Sequence, residues 1–131
     1  MMKLRLAFIM AVPAALLVAP VAAQAPALAM LIELERGSWQ IRDRADGATR
    51  SICLGDATQF LQLRHPRTGC SRYVISDTAA EVTVHYTCPG AGHGRTTIRR
   101  ETNRLVQIDT QGIAGGAPFS DAYEARRMGS C

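Results

Sequence analysis

Cys70-Ser-Arg-Tyr-Val-Ile-Ser-Asp-Thr-Ala-Ala-Glu-Val-Thr-Val-His-Tyr-Thr-Cys88 is patterned as a β-hairpin. Val82, Val84, Tyr86 and Cys88 fall on one face of a period-two run, with Thr83, His85 and Thr87 on the other. Cys70 to Ser76, rich in Tyr73, Val74 and Ile75, supplies the partner strand. A turn centred on Ala79, within Asp77 to Glu81, sets Val74 against Val84, Arg72 against Tyr86 and Cys70 against Cys88. Opposed residues of an antiparallel pair lie about 4.5 to 5.5 Å apart at Cα, a span that a disulfide accepts. A turn one residue longer or shorter would spoil the match.

The remaining two of the four cysteines, Cys53 and Cys131, then pair with each other, tying the strand before a short helix to the C-terminus. Two disulfides in a small chain point to an oxidising compartment. No Cys-x-x-Cys occurs, which argues against zinc ribbons and thioredoxin-like chemistry.

Working outward, the alternation continues on both sides. Upstream, Trp39 and Ile41 alternate with polar neighbours, Ala45-Asp46-Gly47-Ala48 is a hairpin turn, and Thr49 to Leu54 is a second extended run. Asp56 and Gln59 sit at the N-cap and N3 positions of a capping box, so Ala57 to Leu63 is predicted as a short helix that stops before Pro66. Downstream, Pro89 to Gly94 reads as a flexible connection. Strands follow at Arg95 to Glu101, Leu105 to Thr110 and Tyr123 to Met128, with turns at Thr102-Asn103 and from Gly112 to Pro118. The expected fold is mostly β: an antiparallel meander curling into a partial or closed small barrel, with one short helix after the second strand and two disulfides.

The N-terminus carries Lys3 and Arg5, an apolar run from Leu6 to Val21, and the small residues Val21-Ala22-Ala23. That is the layout of a secretory signal peptide cut after Ala23. An uncleaved anchor is the rival, but the stretch is short for a bilayer of about 30 Å and Pro13 and Pro20 interrupt it. The division is therefore residues 1–23 as signal peptide, 24–36 as an N-terminal arm or short helix, and 37–131 as a disulfide-stapled β domain. The expected location is periplasmic or secreted, with no stable membrane anchor after cleavage.

Loss of Lys3 and Arg5 lowers the formal charge from +4 to +2 and leaves arginine as the only basic residue besides histidine. So small a net charge, spread along the chain, argues against a nucleic-acid partner. Arg95, Arg99, Arg100 and Arg104 form a basic stretch of the kind that usually covers a solvated face. The three histidines, His65, His85 and His93, lack the spacing of a helical zinc pair. Ser76, His85 and Asp77 spell a triad only on paper, since no nucleophile elbow surrounds any serine. Gly90-Ala-Gly-His-Gly94 is followed by β-patterned residues rather than the helix a phosphate loop needs. No catalytic residue, metal ligand or cofactor site is expected; His93 and Arg95 are the candidates for a partner-binding loop.

Gly37-Ser38-Trp39, the cysteine and helix from Cys53 to Leu63, Tyr86-Thr87-Cys88, and the closing Met128-Gly-Ser-Cys131 together resemble the short secreted proteobacterial proteins grouped as domain of unknown function 3617. The resemblance covers about residues 37 to 131. It implies a periplasmic β-rich domain without an established activity, and no site residue to carry over. Tyr86-Thr87-Cys88 followed by a glycine loop is also similar to the Tyr-x-Cys strand of periplasmic C-type lysozyme inhibitors.

The expected function is that of a non-enzymatic periplasmic binding or envelope-maintenance module, whose partner is an envelope protein or a small apolar ligand. Alternatives are a carrier enclosing an apolar ligand in a barrel cavity, and an inhibitor of an envelope-attacking enzyme such as a lysozyme. Export has a direct check: the intact mass of protein recovered from the periplasm is expected to begin at Gln24, and full-length chain in the membrane fraction would establish the anchor instead.

Overall fold

The computed structural model describes residues 28–131, so the signal peptide and the first residues of the arm lie outside the described residues. Within them, β1 (Gly37–Asp43) and β2 (Thr49–Leu54) form a first hairpin. A meander follows: β3 (Ser71–Asp77), β4 (Glu81–Cys88), β5 (Gly92–Thr102), β6 (Leu105–Ala114) and β7 (Ala117–Gly129). All seven strands share one antiparallel sheet in the order β2-β1-β7-β6-β5-β4-β3. The first hairpin is thus joined to the last strand through β1, and β2 and β3, neighbours in the chain, become the two edges. The sheet is open and does not close into a barrel. Leu54 of β2 and Val74 of β3 nevertheless border one cleft, so the sheet is curled into a trough that brings its edges towards each other.

Period-two alternation assigns the faces, and pairing lines the inward side chains up in rows. Tyr123, Ile108, Ile98 and Val82 form one row across β7, β6, β5 and β4. Asp121, Thr110, Thr96, Val84 and Val74 form the next. The trough is filled from the chain itself. Met30, Leu31 and Leu34 enter from α1 (Ala29–Ile32) and the residues after it, and Phe60 and Leu61 from a 3-10 helix, Ala57–Gln62. Trp39 is fully buried between these groups, edge-on to Phe60 at 5.2 Å, and its indole nitrogen donates to the Glu35 carbonyl at 2.9 Å.

The helix after β2 differs from expectation in type. Asp56 does cap Ala57–Gln62 by accepting from the Thr58 amide at 2.9 Å, but the segment is a 3-10 helix and Gln59 makes no return bond to complete a capping box. Six residues are too few for α-helical cooperativity to outweigh tertiary contacts. Here the Thr96 hydroxyl donates to the Leu61 carbonyl at 2.7 Å and fixes the turn against β5. A second short helix, α1, lies in the arm, where its apolar side chains meet the open trough.

The β3–β4 hairpin pairs Arg72 with Tyr86 and Val74 with Val84, as its pattern predicts. Its turn is nonetheless displaced by one residue, since Asp77 pairs with Val82 around a Thr78-to-Glu81 loop held by the Thr78 hydroxyl. A bulge at Ile75 absorbs the displacement, so the cysteine end keeps its register. The Cys70–Cys88 bridge has its Cα atoms 4.2 Å apart. Cys53–Cys131 spans the start of β1, joining β2 to the chain just past β7 with Cα atoms 5.7 Å apart. In the chain-entropy account the shorter ring is worth about 3 kcal/mol and the longer about 4.5 kcal/mol.

The glycine-rich stretches also differ from the sequence reading. Gly92 to Gly94 pairs with Gly112 to Ala114, which in turn pairs with Ala117 to Phe119, so expected loops are strand. Pro89-Gly90-Ala91 remains a turn, and Gly115-Gly116 turns with φ of 57° and 79°, the conformation a two-residue hairpin needs at both positions. Trp39→Ala is expected to cost about 3 to 5 kcal/mol in denaturant unfolding, with Trp39→Phe losing less because an aromatic ring still meets Phe60.

Candidate functional site

Two places concentrate functional groups: a buried His65–Tyr86 pair at one end of the trough, and the slot between its two edges.

In the first, Tyr86 of β4 faces Gly94 of β5, and Gly94 faces Gly112 of β6. A Cβ at Gly94 would run into the Tyr86 ring, so glycine here is a requirement of packing. The His65 ring lies 5.4 Å from Tyr86 and 6.0 Å from Phe119 between centroids. His65 Nε2 is 3.2 Å from the Ala91 carbonyl, which can only accept, so that nitrogen carries a proton. In the neutral ring, Nδ1 then accepts from the Tyr86 hydroxyl at 2.8 Å. Burial pushes the Tyr86 phenol up to about 12. Beside the cluster, Arg64 lies over the Phe119 ring at 5.2 Å and pairs with Asp121, which also accepts from the Tyr123 hydroxyl at 3.1 Å. The hydrogen bonds from Arg64 hold the Asp121 carboxyl below its ordinary value. Every polar atom of the His65–Tyr86 pair has a partner within the protein, and both residues are buried. This is a packed structural knot.

His93 and Arg95 are exposed, but on strand β5 rather than in a loop, because the glycines around them let β5 pair with both neighbours. His85 pairs with Arg95 and sits diagonally from His93, placing the two imidazole centroids 5.6 Å apart. The hairpin register held this proximity, which sequence spacing alone does not display. Among the described residues, no group of three or more His, Cys, Asp or Glu gathers as a metal site would need. Ser76 pairs with Thr83 and His85 with Tyr73, and no hydrogen bond joins Ser76, His85 and Asp77. Half of the basic stretch is paired: Arg99 meets Asp109 at 3.0 Å and Arg104 meets Glu35 at 3.1 Å, while Arg100 donates to the uncharged Asn103.

The slot between β2 and β3 was not legible in the sequence. On one side of residues Gly55 to Thr58 is a cleft of about 680 Å³, walled by Leu28, Leu31, Ile32, Leu34, Leu54 and Val74, with Arg36 and Arg72 among its polar lining. On the other is a cleft of about 890 Å³ between Arg50, Ile52 and Cys53 of β2 and Pro66, Arg67, Cys70 and Arg72. The two share Gly55, Asp56, Thr58 and Arg72. Gln62 braces this junction, accepting from Arg72 Nε at 3.1 Å and donating to the carbonyls of His65 and Arg67. Among the described residues, no helix is long and apolar enough to cross a membrane. No family model matches the chain, and no curated protein or solved structure matches it.

The Tyr86 phenol gives a pH test with a definite sign. Its folded value is raised, so its stabilisation is fully present below the ordinary value of 10.0 and is lost as pH rises towards about 12. Tyr86→Phe leaves His65 Nδ1 without its donor and is expected to cost about 1 to 3 kcal/mol at neutral pH. The variant should then lose less stability than the parent between pH 10 and 12, as followed by denaturant unfolding.

Proposed function

We propose that this chain is a non-enzymatic binding domain of the cell envelope or exterior, and that it binds at the slot between β2 and β3. The two disulfides support an oxidising compartment. The N-terminal pattern favours delivery there by a cleaved signal peptide, and on this reading the chain is a divergent member of domain of unknown function 3617. Most of the trough is filled by Trp39, Phe60, Leu61 and their neighbours, so a ligand has room in the open clefts at the edges rather than in an enclosed lumen.

One observation carries the proposal. A concave cleft of about 680 Å³ remains beside the packed core, its apolar lining made of core leucines together with the exposed Ile32 and the half-buried Val74, and its volume falls in the range of small-molecule sites, about 300 to 1,000 Å³. The inhibitor alternative has less support. Tyr86 of its Tyr-x-Cys strand is buried against His65, and the glycines that follow belong to a strand.

Binding is testable with a neutral apolar probe, N-phenyl-1-naphthylamine, whose fluorescence rises on entering an apolar site. The folded, disulfide-intact protein is expected to bind it saturably. Ile32→Glu changes a wall residue that is 70% exposed, so it should weaken binding about tenfold without lowering the unfolding temperature. An absence of saturable binding by the folded protein defeats the proposal.

A further inference from the structure

We propose that the slot accepts a single-chain anionic amphiphile, a long-chain carboxylate, with its tail on the apolar wall under α1 and its carboxylate at Arg72 and Arg36. The inference rests on the binding reading above and adds the chemistry of the ligand.

The distribution of ion pairs supports it. Arg42, Arg44, Arg64, Arg99, Arg104 and Arg126 each reach a carboxylate within 4.0 Å. Of the arginines in no ion pair among the described residues, Arg95, Arg100 and Arg127 lie elsewhere, while Arg36, Arg50, Arg67 and Arg72 line the two joined clefts. Chain separation hides the cluster, since each of these arginines comes from a different segment. Asp56 is the one acid in the lining among the described residues; it accepts from the Thr58 amide, and with that bond the charges of Arg72 and Arg36 help to hold its carboxyl below the ordinary value. Four arginines against one carboxylate leave the slot with a net positive charge beside an apolar wall, a combination complementary to an anionic head on an apolar tail.

Arg72 is the best-placed head-group ligand. Its Nε donates to Gln62 Oε1 at 3.1 Å, which orients the guanidinium plane at the junction of the clefts. Among the described residues no other hydrogen bond engages its two terminal nitrogens, which can donate to one carboxylate as a bidentate pair. Gln62 is itself buried and fixed by the His65 and Arg67 carbonyls, so the arrangement exists before a ligand arrives. The apolar wall adjoins Arg72 directly through Val74, two residues along β3.

Titration of laurate and of dodecanol into the disulfide-intact protein, each followed by displacement of N-phenyl-1-naphthylamine, separates head from tail. Laurate is expected to bind about tenfold more tightly than dodecanol. Arg72→Gln combined with Arg36→Gln should remove that preference while leaving dodecanol affinity unchanged, whereas Arg100→Gln, outside the slot, should preserve it. Equal affinity for laurate and dodecanol overturns the inference but leaves the binding reading standing. Failure of the naphthylamine and both ligands to bind overturns both. A site that takes hexaglutamate as tightly as laurate overturns the carboxylate-tail assignment in favour of an acidic peptide.

Discussion

The burial of Trp39 is the constraint on which the rest of the architecture depends. A curled seven-stranded sheet with two free edges has an apolar inner face that water would otherwise occupy, and a single indole spans much of that space. Its nitrogen cannot be buried without an acceptor, and the chain supplies one in the Glu35 carbonyl, four residues earlier. That bond fixes the arm just before β1. The arm in turn carries Met30, Leu31 and Leu34 into the trough, while Phe60 closes on the indole from the opposite segment. The N-terminal arm, the first strand and the 3-10 helix are thus held around one side chain.

At the other end of the trough the same problem has a polar solution. The Tyr86 hydroxyl, the His65 ring and the Ala91 carbonyl form a short buried chain of hydrogen bonds, made possible by a glycine opposite the tyrosine. Thr96 joins Leu61 and Thr110 in similar fashion near the middle of the sheet. These groups pin the long β2–β3 connection against the sheet, so the missing ladder between the edge strands is partly compensated by side-chain bonds. The edges remain unpaired; one disulfide ties β2 across β1 to the chain past β7, and the other ties the start of β3 to β4.

That gap is also where electrostatics and apolar surface diverge from the rest of the molecule. Elsewhere, Arg42, Arg44, Arg64, Arg99, Arg104 and Arg126 meet carboxylates, in pairs that contribute little to stability individually. Around the slot, four arginines lack such partners and adjoin an apolar wall. The wall is continuous with the core, to which Leu28, Leu31, Leu34 and Leu54 belong.

Much of the fold was legible in local pattern. Alternation at Trp39 and Ile41 and from Val82 to Cys88 determined strands and their inward faces, because a strand's side-chain period is a local geometric property. The opposition of Cys70 and Cys88 followed from hairpin register, and the other disulfide followed by elimination. The turn position at Ala79 did not survive, since a bulge at Ile75 can trade one residue between loop and ladder without a mark in the sequence. The glycine stretches misled for a related reason: glycine signals freedom locally, yet at Gly94 it is the size of the Tyr86 ring across the ladder that demands it. Among the candidate residues, His93 and Arg95 were visible as exposed groups but not as strand residues. The sequence by itself determined an all-antiparallel, disulfide-stapled domain and its core face. Only the tertiary structure decided that β1 pairs with β7, that the sheet stays open between β2 and β3, and that Arg36, Arg50, Arg67 and Arg72 gather there, because each depends on contacts between segments that local periodicity does not encode.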